Sequence, residues 1–472
     1  MLVAAGTDPV APAAGELRTR LRQLRRQHHT TSLSEKLTDM YIVVLVVGTI
    51  GLSLVGGFSD FLGSPGVQQS DPARRWWLAV AAGLVAAGLA WHGLRSLGPL
   101  LVSPATPTWV VSAPVDRRAW LLPQLRWLLV GAASVGALLG LGAALSGSVG
   151  DPAQLGWWSF AGASCGGAVV AISVAAQGAG SSLWWARRAG TVFLGTGGAV
   201  ASALVLAHHL ALPIVGPPVA GQVVVAVVGL GALPLAVAAS LRARRSLAWV
   251  DRASLSAGTQ LFGGVTTAAV LLDPSALTEV LAQRRWLRIG RVRHRAFRPA
   301  PRLLVLLQAE LRRLGRRPGA LAAWGMLLLA MYAVGAALPS AAPIAQILLA
   351  FLAGDRLAGG LRTVSRSAGL RRVLGGSETE LRLVHFVVPA LGTAGWFLLS
   401  LPAVPLSVGW LDGVLLLGVV VAVYRFATRR LVSYSGAVVD TPAGLMPVDI
   451  MGQLLRGLAL LAVLVFVQAL HL

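Results

Sequence analysis

The chain has 472 residues, 56% of them hydrophobic and 12% charged, yet 40 Lys and Arg against 18 Asp and Glu leave a formal net charge of +22. Such an apolar composition excludes an ordinary soluble enzyme of this length, and apolar runs of spanning length place the chain among helical membrane proteins. The positive charge lies between those runs rather than on a compact domain, which excludes a nucleic-acid-binding module and matches retention of Arg on the cytoplasmic side of a bilayer.

Residues 1–15 are Ala-, Gly- and Pro-rich and carry neither the basic nor the long apolar region of a cleavable signal peptide. Glu16–Arg26 sets Leu17, Leu21 and Leu24 on one face with Arg between them, a basic amphipathic helix suited to the inner membrane surface. A first span is predicted over residues 40–62, followed by a polar loop and by Arg74 and Arg75. Span two covers 76–94 and opens on the interfacial pair Trp76–Trp77. Residues 95–126 contain Pro99, Pro104, Pro107 and Pro114 and the run SAPVDRRAW (Ser112–Trp120), and do not read as a plain loop. Spans three to six follow at 127–145, 157–177, 191–208 and 222–240.

The segment 241–319 then holds sixteen of the forty basic residues and is assigned to the cytosol. Within it, Ala257–Leu272 is apolar but only about 16 residues long, marginal for a bilayer of roughly 30 Å, and is read as cytosolic or interfacial. AELRRLGRRPG (Ala309–Gly319) echoes the amphipathic helix near the N-terminus. Spans seven to ten are predicted at 320–338, 342–357, 384–401 and 410–424, with a basic segment at 358–383 between spans eight and nine. Residues 432–456 are too polar to span, and an eleventh span at 457–470 ends the chain. This topology places the N-terminus inside and 38 of the 40 basic residues on the same side; Arg74 and Arg75 are the exceptions.

The expected fold is therefore an all-α, polytopic integral membrane protein with about 11 transmembrane helices. The organisation reads as a tail plus amphipathic helix (1–39), a first transmembrane half (40–240), a basic cytosolic linker (241–319) and a second transmembrane half (320–472). Each half runs from amphipathic helix to two spans, to a basic segment, to further spans, a pattern consistent with parallel duplication.

The chemistry that is missing narrows the function. A phosphate-cradling loop needs glycines before a lysine, and the sole lysine, Lys36, lies in SLSEKLTD. Ion-driven carriers keep ionisable residues deep in the membrane, whereas His92, Asp355, His385 and Asp412 fall near span ends and read as hydrated interfacial residues. His208 and His209 lack an Asp, Glu or Cys neighbour to complete a metal site. With a single cysteine, Cys165, no intrachain disulfide can form. No catalytic, cofactor-binding or metal-ligating residue is assigned.

The amphipathic helices Glu16–Arg26 and Glu310–Arg317, together with LLVSPATPTWVVSAPVDRRAWLL (Leu100–Leu122), resemble the permease subunits of ABC-2-type exporters in a fused-halves form. The second copy, LRRVLGGSETELRLV (Leu370–Val384), departs from the first in lacking the proline and the Arg-Arg after its acid. The resemblance implies an exporter subunit in the bacterial cytoplasmic membrane, powered by a separate ABC ATPase that docks on segments 95–126 and 358–383. It implies docking roles for Ser112, Pro114, Asp116, Arg117, Arg118, Arg371, Arg372 and Glu378, with lipid as the other partner and no cofactor. Either a homodimer or a pseudo-dimer within one chain would provide the two halves. Two alternatives remain on the residues alone. SAPVDRRAW also reads as a positive-inside loop with Asp116 capping a helix, and the whole chain also reads as a polytopic cell-envelope enzyme or assembly scaffold.

Overall fold

A computed structural model describes residues 16, 19–20, 23–24, 71–98, 100, 116–146, 151–178, 184–214, 220–250, 255, 296–404, 409–429, 438–441, 444–447 and 456–471. The predicted first span, the apolar stretch Ala257–Leu272 and the candidates Ser112 and Pro114 lie outside them. Among the described residues nine helices are long and apolar enough to cross a membrane. They are α1 (Pro72–Leu97), α2 (Arg117–Ser146), α3 (Pro152–Gly178), α4 (Trp184–His209), α5 (Ala220–Ser246), α7 (Pro318–Ala337), α8 (Ala342–Leu357), α11 (Glu378–Ser400) and α12 (Gly409–Ala427). The chain is an all-α multi-pass membrane protein.

The nine helices fall on the predicted spans two to ten because each apolar run is close to the roughly 20 residues that a bilayer demands. The shortest, α8, is extended by a 3-10 turn at Pro339–Ala341 to a span of 19 residues. The eleventh predicted span forms the helix α13 (Leu458–Leu470), which at 13 residues rises only about 20 Å. Within the polar stretch before it stands a two-stranded hairpin, β1 (Val438–Thr441) with β2 (Gly444–Pro447), in antiparallel register from Val438↔Pro447 to Thr441↔Gly444. Among the described residues three short helices complete the set: α6 (Arg302–Gly315), α9 (Gly359–Arg366) and α10 (Ala368–Leu374).

Contacts divide the chain into two compact units, one including Ala82–Gly197 and Val215–Gly264, the other including Asp60–Ala81, Gly198–Ile214 and Val265–Leu472. In the first, α2 and α3 meet through small residues. A Cβ added at Gly136 would overlap the Gly162 carbonyl and one at Gly162 the Gly136 carbonyl, while Gly140 abuts Trp158 and Gly166 abuts Ala132. In lipid the apolar effect does not drive helices together, so close backbone approach through small residues four apart supplies the packing. Val130, Val135, Leu138, Val227, Leu230 and Leu235 on α2 and α5 are exposed, as side chains facing lipid must be.

The second unit has the larger aromatic core, with Met331, Phe351, Trp396, Phe397 and Phe426 all nearly inaccessible. Hydrogen bonds inside it join helices where no water competes: Trp324 Nε1 donates to the Gly392 carbonyl (3.0 Å), and Gln346 Nε2 donates to Ser400 Oγ (2.9 Å). Pro389 interrupts the hydrogen-bond ladder of α11 by removing one N–H, and Thr393 Oγ1 donates back to the Pro389 carbonyl (2.7 Å).

Candidate functional site

Helix α6 immediately precedes α7 in the chain, and the stripe it turns to its neighbours is Arg302, Leu306, Glu310 and Arg313, spaced by four, four and three residues, with Leu306 and Glu310 buried, Arg313 half-buried and Arg302 at the exposed edge. Leu306 joins Val364 and Leu381 in a small apolar cluster that seats the helix on α9 and α11. The remaining stripe residues are charged, so this seat is largely electrostatic.

Glu310 is 1% exposed. Its carboxylate accepts from Arg313 Nε (3.1 Å) and makes a second, shorter contact with Arg313 Nη2; it also faces His385 Nδ1 of α11 at 3.0 Å. Burial pushes the Glu310 pKa up, but hydrogen bonds from His385 and Arg313 and the Arg313 charge outweigh it, so the carboxyl sits below its ordinary value. Arg313 Nη2 also donates to the Leu357 carbonyl at 3.2 Å.

The local chain makes room for this pair. Helices α8 and α9 are separated by Ala358 alone, and α9 opens with Gly359 and Gly360. A Cβ at Gly360 would overlap the Glu310 carboxylate, and one at Gly359 would press on the Arg313 guanidinium. The acid therefore lies against the N-terminal turn of α9 and the base against the C-terminal carbonyls of α8, the favourable sign at each helix end. Just above, Asp355 and Arg362 form a second ion pair, 3% exposed at both residues, and Arg362 Nη2 donates to the Asp355 carbonyl (3.0 Å).

These contacts correct the expectation for Asp355 and His385. Both were read as hydrated at span ends, and both are buried and paired, because α6 and α9 fold over the ends of α8 and α11 and exclude water there.

The segment 358–383 is built, not loose. Ser367 caps α10, its Oγ accepting from Leu370 N (3.2 Å), and Ser377 caps α11, accepting from Glu380 N (3.1 Å). Between them Gly375 and Gly376 take φ values of +68° and +76°, a reversal that other residues adopt only with strain. Arg302 reaches across from α6 to the Leu374 carbonyl (3.2 Å) and the Gly375 carbonyl, and pairs with Glu380 (3.6 Å).

Of the predicted docking residues here, Arg371 is turned inward. It donates to the Val364 (2.9 Å) and Ser365 (2.7 Å) carbonyls and lies 3.4 Å from Glu378, which Arg382 also meets at 2.6 Å. Arg372 is exposed, and beside it Val373 is 85% exposed, the most open of the large apolar side chains among the described residues.

In the first unit, Asp116 is exposed and its Oδ1 accepts from Arg118 N (2.9 Å), so it caps the start of α2. Arg117 is half-buried and its Nη1 lies 3.5 Å from the Val250 carbonyl, beside a cluster formed by Leu100, Leu121, Leu125, Leu247 and Val250. Arg118 is exposed. At the other end of the second unit, Arg74 Nη1 lies 2.7 Å from His208 Nδ1, Arg74 also meets Asp71 (3.5 Å), and the His209 ring faces Tyr332. The described residues include no cluster of three or more His, Cys, Asp or Glu suited to a metal.

Sequence reasoning passed over Glu310, Arg313, Gly359 and Gly360. The available signal was that Glu310 is the one acid of the Arg-rich helix 302–317 and sits on the same stripe as Leu306. No curated protein and no solved structure matches the chain. Residues 68–437, which include the α6–α9–α11 junction and both basic segments, match the family model described as "Family of unknown function (DUF6297)", and the chain belongs to that family.

Proposed function

We propose that this protein is the membrane-spanning subunit of an ATP-driven, ABC-type exporter, powered by a separate ATPase that docks at the Arg-rich ends of its helices. In this reading those ends face the cytosol and the protein resides in a bacterial cytoplasmic membrane. The observation that carries the reading is the segment 358–383: two short helices between spanning helices, capped at Ser367 and Ser377, braced by Arg302, and presenting Arg372 and Val373 outward. A partner that pushes on a membrane subunit needs such a rigid protrusion. Arg302 braces the end of α10 to α6, and α6 is tied to α8 through Arg313 and to α11 through Glu310, so displacement at Val373 would reach the spanning helices. The sequence carries no phosphate-cradling motif, which supports a reading in which ATP is hydrolysed by a separate polypeptide.

The test is co-purification from native membranes. The wild-type chain is expected to bring an ATP-hydrolysing subunit with it. Arg372→Glu with Val373→Glu should preserve abundance and lose the partner, because both side chains are exposed. A wild-type chain that carries no ATPase, or a double variant that binds it undiminished, would refute this docking site; capture of a glycosyltransferase or peptidase instead would favour an envelope-assembly scaffold.

A further inference from the structure

Helix α6 has two faces besides the buried one. Leu304, Leu307, Leu311 and Leu314 recur at three- and four-residue spacing and form an apolar stripe in which Leu304 is 51% and Leu311 53% exposed while Leu307 and Leu314 are half-buried. On the third face, Gln308 and Arg312 clasp the chain that precedes the helix. Arg298 N donates to Gln308 Oε1 (3.1 Å), Gln308 Nε2 donates to the Arg298 carbonyl (3.4 Å), and Arg312 Nη2 donates to the Ala296 carbonyl (2.7 Å). The Arg312 guanidinium also lies 4.3 Å over the Phe297 ring. The clasp holds Phe297, itself half-exposed, and Arg298 at the rim of the leucine stripe, and exposed Arg316 follows Arg312 by one turn.

Helix α7 begins its passage at Pro318, just past the end of α6, so this surface is fixed near the depth where hydrocarbon gives way to headgroups. Exposed Phe and Leu belong in acyl chains at that depth. Guanidinium groups beside them meet phosphodiesters, which they bind through paired N–H donors. A net-negative headgroup adds long-range attraction that a zwitterionic one cancels. We propose that Arg298, Arg312 and Arg316 form a headgroup site for an acidic phospholipid, with Phe297, Leu304 and Leu311 seated among its acyl chains. The site needs only the membrane-spanning fold and is independent of any ATPase.

Cys165 is the only cysteine, so Cys165→Ala with Leu304→Cys gives one attachment point for a bimane fluorophore in the full-length protein. The labelled protein is reconstituted in mixed phosphatidylcholine and phosphatidylglycerol vesicles in which one or the other lipid carries brominated tails. At equal mole fraction, brominated phosphatidylglycerol should quench several-fold more strongly than brominated phosphatidylcholine. The preference should fall roughly fivefold for each arginine changed to glutamine at 298, 312 and 316. Arg298→Gln alone serves if the triple variant does not fold, since the Arg298 side chain is exposed. Equal quenching by both lipids would mean apolar insertion without headgroup recognition. No quenching by either would mean a surface facing water or a protein. Competition by inorganic phosphate would mean a free-phosphate site. Each of the three overturns the proposal.

Discussion

Replacing Glu310 by Gln keeps the volume at the junction and removes its charge. What remains is the Arg313 guanidinium, with its side chain 25% exposed, facing a neutral group in a water-poor seat. Breaking a buried ion pair by removing one partner costs about 3–5 kcal/mol. Arg313 keeps its bond to the Leu357 carbonyl and part of its hydration, so the cost falls at or just below the bottom of that range, about 2–3 kcal/mol. For a unit of this size that corresponds to a drop of about 4–12 °C in the midpoint of thermal unfolding. The measurement is intrinsic fluorescence in detergent at one fixed scan rate, since membrane proteins often unfold irreversibly. The pH dependence has a definite sign. The folded carboxyl titrates below its ordinary value, so the unfolded chain takes up the proton first as pH falls. The wild-type advantage over Glu310→Gln should therefore be constant from neutral pH to about 5 and shrink as pH falls through the folded value. An unchanged midpoint in the variant, or an advantage that grows in acid, would show that the Glu310 pair does not hold α6 to the rest of the second unit.

Gly360→Ala should destabilise the wild type by about 1–3 kcal/mol, because its Cβ would enter the space of the Glu310 carboxylate, and should cost much less in a Glu310→Ala background. A double-mutant cycle of melting midpoints reads the difference. Gly162→Val should push α2 from α3 and weaken the first unit by about 1–3 kcal/mol or more, with faster proteolysis of 117–178 than in Ala153→Val at an exposed position. Reversal of Arg371 should lower abundance as well as partner binding, because that side chain braces α9 through two carbonyls, whereas reversal of Arg372 should affect partner binding alone. Arg117→Glu with Arg118→Glu should leave insertion intact, since Arg95 and Arg126 keep the local positive charge, and should weaken ATPase co-purification if segment 95–126 also docks.

The amino-acid sequence by itself determined the class and the positions of the spanning helices. Hydrocarbon leaves a backbone no partner but its own, so an apolar run of about 20 residues has one structure available to it, whatever packs beside it. Spans two to ten follow from that requirement, and Ser367, Ser377 and Gly375–Gly376 mark the ends of α10 and α11 through local chemistry alone. The use of individual charges was another matter. Asp355 and His385 lie near span ends, where sequence predicts hydration, and only the folding of α6 and α9 over those ends buries them. Arg371 and Arg372 are adjacent in sequence with the same charge, yet one is held by backbone carbonyls and the other faces outward. Which unit residues 71–81 and 198–214 accompany was equally unreadable, because they group with the second unit through contacts far along the chain. Helical periodicity and hydropathy are set within a few residues. The pairing of a buried charge depends on segments separated by 75 residues, as Glu310 and His385 are, and only the tertiary fold brings them together.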